Sequence, residues 1–519
     1  MRRDAILTIV TFGIPAVAKA RSDASREITG GNLCSLRSPF VRNLLRRLHF
    51  MFELIAIALL VGLVWGTIFV LRGSLVVGAM LVILALNCFG YLFTHFEAGP
   101  LPLTIDRVML GALIAAYIVQ RALGRTDEKP LNAGDWATLA FVGYLLVNMF
   151  TGDWQNVQKK EMTPPWRWFG GYCTPLLLYW VAKQAPWKER TSNLMLGCLT
   201  AFGAYLAITA VLEIAQVWAL VFPKYIADPK VGLHFGRARG PMVHGVSYGH
   251  FQDVCLLALW LTAYRLRGTS RWFMAAMVPL FMAGVYFSYT RSVWIGAVLG
   301  ICTLLWTTLR GATRTYVLGG LAAAAMVVGL TQMDKIVGFQ REQSAADTAD
   351  SANLRVSFAY VSWLMFQDKP IFGFGFGRFP TDKIPYLADR TSDLNLEDLR
   401  PYVHHNTFLS ILVDTGIVGL GMFLAMIGLW VKGGIDTYRA EQTSDWARRQ
   451  AILMLGAVGI YACQLLFHEL SYTAMDNALM FFLAGAASAV VPRRERSQAA
   501  PRREAQRVEA ISSMHAAAH

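Results

Sequence analysis

The chain has 519 residues and a formal charge of +14, yet only 16% of its residues are charged and 55% are hydrophobic. A soluble domain is about a quarter charged, and the mean hydropathy of +0.41 excludes an ordinary soluble protein. Seven cysteines without a CxxC pair or paired spacing exclude a disulfide framework and a thiolate metal site.

Apolar residues gather in long runs, among them 50–71, 74–93, 192–215 and 272–287. A helix of roughly 20 apolar residues matches the hydrocarbon core of a bilayer, and lipid does not tolerate irregular backbone with unpaired polar groups. The expected fold is an all-α polytopic transmembrane bundle of about 12–14 helices, with one long, partly helical periplasmic loop.

In chain order, the N-terminal segment 1–50 comes first and is ambiguous. Residues 5–18 read as an extra span or, with Ala16-Val17-Ala18, as the core of a signal peptide. A wrongly divided early hairpin and translation from Met51 are the other readings. Counting helices puts Arg37, Arg42, Arg46 and Arg47 on the outer side, against the positive-inside tendency. N-terminal transmembrane helices occupy 51–218. The stretch 219–431 forms a core with two outer loops, 219–249 and 331–404. C-terminal transmembrane helices fill 432–491, and a basic cytoplasmic tail, 492–519, ends the chain. The short connections 265–271 and 310–314, the stretch 432–450 and the tail all carry arginine, which sets them inside. The net charge therefore reads as a topology signal and not as a nucleic-acid surface.

A connection as long as 331–404 needs a reason, because structureless loops beyond about 15 residues are usually functional or disordered. Its amphipathic stretch 353–366 points to a folded loop. The run Pro370-Ile-Phe-Gly-Phe-Gly-Phe-Gly-Arg-Phe379 sets Gly373 and Gly375 where backbone can approach a ligand closely, or where a turn simply packs. His405-Asn406 follows, then nine residues, then Gly416-Ile-Val-Gly419. Asn406 or Thr407 can cap a helix start whose free amides favour phosphate, and His405 beside it can act as a general base. The glycines offer a face for close helix packing. Alone, His405 reads more readily as an interfacial aromatic.

The outer-side arginines shift that balance. Arg237 and Arg239 lie in Gly236-Arg-Ala-Arg-Gly240, Arg291 in Tyr289-Thr-Arg-Ser292, and Arg355 and Arg378 in the long loop. Each either pairs with loop carboxylates or presents its fork to phosphate oxygens.

Together these pieces resemble the O-antigen ligase family, with its related O-antigen and exopolysaccharide polymerases. The family's histidine, small polar residue, nine residues and Gly-x-x-Gly are matched by His405-Asn406 and Gly416–Gly419. Arg355 with Trp363 and the Pro370–Gly375 run resembles the preceding pattern. Arg237-Ala-Arg-Gly240 is similar to its Arg-x-x-Gly element, and Tyr289-Thr-Arg291 with Trp294 to its Thr/Ser-Arg element. The detailed likeness covers about 235–430. Val403 stands where many relatives have a histidine and Asp414 where glutamate is common, so His404 inherits no role.

The resemblance implies an inverting glycosyltransferase of the bacterial inner membrane, with its site facing the periplasm. The donor would be a glycan on undecaprenyl diphosphate and the acceptor a glycan or lipid A–core, with membrane lipids the other partners and no cofactor or metal. His405, Arg291 and Arg237 would be catalytic; Asn406, Arg355, Arg239, Arg378, Gly373 and Gly375 would bind substrate. Ligase, repeat-unit polymerase and protein-glycosylating relative remain open, as does whether His405 takes a proton or grips a phosphate. The rival of another class is a transporter or flippase of lipid-linked sugars, for which Glu213 would be the intramembrane acid. A scaffold for a polysaccharide machine is a third class.

Overall fold

The computed structural model describes residues 66, 69–98, 101–151, 163–321, 323 and 345–491. The candidate span at 5–18, the signal-like stretch, the start of the long loop at 331–344 and the basic tail 492–519 lie outside the described residues.

Helix α1 spans Leu75–Cys88 and is capped by Ser74, whose side chain accepts from the Val77 amide. A short antiparallel ribbon, His95–Ala98 with Leu101–Thr104, leads into α2, Ile105–Ala122. Helix α3, Ala133–Met149, opens on a capping box of Asn132 and Asp135. Helix α4, Pro164–Trp168, runs through a π-turn, Phe169–Cys173, into α5, Thr174–Gln184. Then come α6, Glu189–Ile214, α7, Gly245–Arg265, α8, Thr269–Ala276, α9, Val278–Phe287, and α10, Arg291–Thr308. The long loop contains α11, Ala345–Asp368. Helix α12, Thr407–Arg439, α13, Asp445–Phe467, and α14, Ala474–Ser488, complete the bundle.

The protein is an all-α, multi-pass membrane bundle. Among the described residues, five helical stretches are long and apolar enough to cross a membrane: Glu189–Ile214, Thr269–Phe287, Arg291–Thr308, Thr407–Arg439 and Asp445–Phe467. The other helices are shorter or more polar; α7, for example, buries His250, Gln252 and Asp253. Large apolar side chains on the outside of the bundle, such as Trp272, Phe273, Trp306 and Ile417, are what a lipid-facing surface requires.

Helix α14 packs on α5, α10 on α13, α6 on α7, and α12 on both α3 and α13. Asp135 of α3, buried, pairs with Lys183 of α5 and accepts from Ser488 of α14 at 2.8 Å. Three helices are thereby pinned by one carboxylate, whose other duty is the α3 cap.

The long loop has a core of its own. Phe358, Val361 and Met365 fall on one face of α11 at helical spacing and pack with Phe379, Leu387, Leu396 and Leu399. Val413 of α12 joins the same cluster, so the loop is seated on the helix that follows it. Lys383 is buried beneath and donates to the carbonyls of Leu399 and Tyr402. Burial first, then the charge of Arg400, lowers its pKa to about 8.

Candidate functional site

Helix α12 is not continuous. Gly416 sits at φ 67°, ψ −170°, a region essentially closed to residues with a Cβ. The break lets the Phe/Gly run dock alongside it. Amides of Phe374 and Gly375 donate to the carbonyls of Val413 and Asp414 at 3.0 and 2.8 Å, and the amide of Ile417 donates to Pro370 at 2.9 Å. A methyl on Gly416 would meet the Ile371 carbonyl oxygen at 2.1 Å, and one on Gly373 would meet the Asp414 carbonyl oxygen at 2.5 Å. Gly373 and Gly375, expected at a ligand, instead bring two backbones together. Gly419 packs within its own helix and against Tyr144, so the Gly-x-x-Gly pair is half kink and half packing face. Gly416→Ala is expected to cost at least about 1–3 kcal/mol of stability in backbone strain, read as a lower unfolding temperature in detergent.

The docked loop closes around a buried ionic knot that the sequence reading missed. Arg167 of α4 donates to Asp414 Oδ2 at 2.7 Å and to Ser410 Oγ at 2.8 Å, and its Nη2 lies 3.3 Å from Glu469 Oε1. Asp414 also accepts the amides of Gly377 at 2.9 Å and Phe379 at 3.1 Å. The guanidinium lies over the rings of Phe376 and Tyr472, 4.5 and 4.8 Å from their centroids. A charge in the aromatic stretch before α5 and another inside α12 are each out of place in apolar sequence. That mismatch was the available signal.

The knot fixes the start of α12. Asn406 is its N-cap: its side-chain oxygen accepts from Leu409 at 2.9 Å, and its amide group donates to Leu466 at 2.7 Å. Both ends of the side chain therefore serve the fold, which departs from a substrate-binding role. Thr407 donates to the His468 carbonyl at 2.7 Å and accepts from the Leu470 amide at 3.1 Å. His405 and His468 are thereby held as neighbours.

His404 is buried with both ring nitrogens engaged. Nδ1 accepts from the Asn406 amide at 3.1 Å and Nε2 contacts Ser362 Oγ at 2.7 Å. His405 is half-buried, with its ring 4.9 Å from that of Phe358 and 5.9 Å from that of Tyr402. Burial, then Arg355 and Lys383 nearby, holds its pKa below the ordinary histidine value despite the His404 backbone and Glu469. His468 is lowered further by burial, with His244, Arg355, His405 and His234 around it, and Ser292 Oγ lies 3.1 Å from its Nε2.

Ser292 follows Arg291, so the second expected arginine is next in sequence to a residue that contacts His468. Arg291 opens α10, and its like charge, after desolvation, lowers the pKa of Arg355. Arg355 lies over the Phe467 ring at 5.8 Å. Arg237 is positioned through its neighbour, since the Ala238 amide donates to Phe287 at the end of α9 at 2.9 Å. The structure thus gathers His405, Arg355 and Arg291 with His468 and His244, and sets Arg237 beside the turn that carries Arg291.

Two expected arginines belong elsewhere. Arg239 is buried and donates to the carbonyls of Val231 at 2.6 Å and of Ile226 and Asp228 at 2.9 Å each. Three of its five N–H donors are thus spent on backbone, which holds the outer loop together. Arg378 is bound to Asp382 through two contacts, 2.7 and 3.2 Å, one turn along. Glu213 accepts the amides of Arg239 and Gly240 at 3.3 and 2.9 Å, which makes the acid considered for transport a loop anchor.

Residues 272–424 match the family model described as O-antigen ligase. The chain carries an O-antigen ligase domain over that stretch. That match supports, in general terms, a membrane enzyme of the O-antigen ligase and polymerase type. The domain takes in Arg291, Arg355, Gly416 and His405, while Arg237 precedes it and Arg167, Glu469 and His468 lie on either side. Its fold and its site are thus completed by helices outside the match. A search among curated proteins found no match to the chain.

His404, His405 and His468 all have pKa values below the ordinary 6.5, so between those values and 6.5 the unfolded chain binds more protons than the native one. Stability from these groups is complete above about pH 6.5 and is lost as pH falls through the folded values. The unfolding temperature in detergent is expected to be lower at about pH 5.5 than at about pH 7.5; an unchanged midpoint would contradict this linkage.

Proposed function

We propose that the enzyme transfers a glycan from undecaprenyl diphosphate to a sugar hydroxyl, with inversion, on the periplasmic face of the bacterial inner membrane. The observation that carries the reading is the electrostatic link of Arg291 to Arg355 and of Arg355 to His405 within the O-antigen ligase domain. An acceptor hydroxyl attacks the anomeric carbon, the bond from that carbon to the diphosphate oxygen breaks, and its electron pair leaves with the diphosphate. The hydroxyl proton goes to a base. Arg291, with Arg237 beside it, holds the diphosphate and stabilises the charge that grows on the leaving oxygen. Arg355 adds field at the same place. His405 donates a ring N–H to the oxygen of the attacking hydroxyl and so orients it, leaving the hydroxyl proton for the base.

The acceptor is lipid A–core for a ligase or another lipid-linked repeat for a polymerase. Surface glycans from a deletion strain separate the two: loss of all long chains marks a ligase, single-repeat chains a polymerase. The reaction itself is tested with purified protein, lipid-diphosphate glycan and varied acceptors in detergent. No product under any acceptor would favour the transport reading, which Glu213 no longer supports because its oxygens anchor loop amides.

A further inference from the structure

His244 ends the outer loop as the N-cap of α7, and a buried relay runs behind it. Its Nδ1 lies 3.0 Å from Ser247 Oγ, and the Ser247 hydroxyl donates to Asp476 Oδ2 at 2.6 Å. Asp476 Oδ1 lies 3.2 Å from His250 Nδ1. Because the serine proton is committed to the carboxylate, Ser247 Oγ accepts from Nδ1–H of His244, and Nε2 keeps its lone pair. The Ser247 amide approaches the same nitrogen at 3.4 Å, a weaker contact than the 3.0 Å one.

The relay leads back toward the arginines already described. A Cβ on Gly245 would lie 3.6 Å from the carbonyl oxygens of both Ala238 and Ser288, on the segments that carry Arg237 and Arg291. An acid within an apolar helix is costly and marks a functional position by default, and the Asp476 side chain is fully buried. The site's histidines also differ in their surroundings. His404, His405 and His468 have mainly cations about them. Around His244, burial lowers the pKa, Asp476 works in the opposite direction, and His405 lowers it slightly. A new positive charge is therefore best tolerated on His244, with a carboxylate one hydroxyl away.

We propose that His244 takes up the proton of the attacking hydroxyl, with Ser247 and Asp476 as its positioning residues. This rests on the transfer reaction proposed above. The acceptor O–H bond breaks as the bond from acceptor oxygen to anomeric carbon forms. The proton of the hydroxyl oriented by His405 goes to Nε2 of His244, and the electron pair of the breaking glycosyl bond leaves on the diphosphate. His244 releases the proton to water after turnover.

The test uses the full chain in detergent with lipid-diphosphate-linked glycan and acceptor, reading kcat, KM and the pH profile. Facing His244 are Asp476 of α14 and, from the two turns, His405 and His468, while His250 of α7 faces Asp476. Asp476→Asn keeps the relay's shape without its charge. It is expected to lower kcat by roughly 10–100-fold at unchanged donor KM, and to move the acidic limb of the profile to lower pH. His244→Ala is expected to lose roughly 100-fold or more and to recover with added imidazole. Asp476→Asn with wild-type kcat and limb would overturn the inference. So would a His244→Ala loss that imidazole does not restore. Full activity in both Arg291→Ala and His405→Ala would instead remove the transfer reading beneath it.

Discussion

Replacing Arg167 with alanine is expected to destabilise the protein by about 3–5 kcal/mol, the typical cost of removing one partner from a buried ion pair. Arg167 and Asp414 are 1% and 0% exposed in their side chains, so water cannot take the place of the lost partner. Two carboxylates, Asp414 and Glu469, would remain buried beside each other's field. Asp414 would keep the amides of Gly377 and Phe379, but Ser410 and Ser471 would lose the guanidinium that each now faces. Total stabilities of about 5–15 kcal/mol leave little margin for such a loss. The measurement is thermal unfolding and size-exclusion behaviour of the purified variant in detergent. A midpoint within a degree or two of wild type would show that the knot is incidental. Asp414→Asn is expected to do less harm, although the single amide oxygen can accept from only one of Gly377 and Phe379, which now donate to different carboxylate oxygens.

That knot also shows where the sequence was readable and where it was not. The bundle was legible because apolar length is a local property, and the cap at Asn406 because its partner, Leu409, is three residues away. The folded loop was legible from the amphipathic spacing that became Phe358, Val361 and Met365. The glycines were legible as unusual backbone but not as to what approaches them. Gly416 faces Ile371, and Gly373 faces Asp414, and such pairings are tertiary facts. Arg237 and Arg239, two residues apart, were given different roles only through the family resemblance. What separates them is that carbonyls from Ile226, Asp228 and Val231 close around Arg239. Asp414 entered the reading only as a departure from glutamate. Its role depends on an arginine 247 residues earlier, in a stretch that otherwise reads as membrane-edge aromatics.

The activity prediction with the largest effect concerns Arg291 and His405 together. Arg291→Ala is expected to lower kcat by about 10²–10³-fold, the usual loss when one preorganised donor to a developing negative charge is removed. Arg291→Lys should recover only part of this, because an ammonium is a point charge without the bidentate fork. His405→Ala is expected to cost about 10²-fold, the scale of loss when a reacting group is no longer held in place. The informative measurement is the double variant. If both side chains serve one transition state, the first removal already leaves the second with little to act on, and the combined loss falls well short of the product of the two. Such coupling is expected through a common substrate, since Arg291 is linked to His405 by way of the field of Arg355 and of Ser292 and His468. Losses that multiply in full would place the two residues in separate steps. Arg291 would then belong to donor binding alone, seen as a raised KM at unchanged kcat.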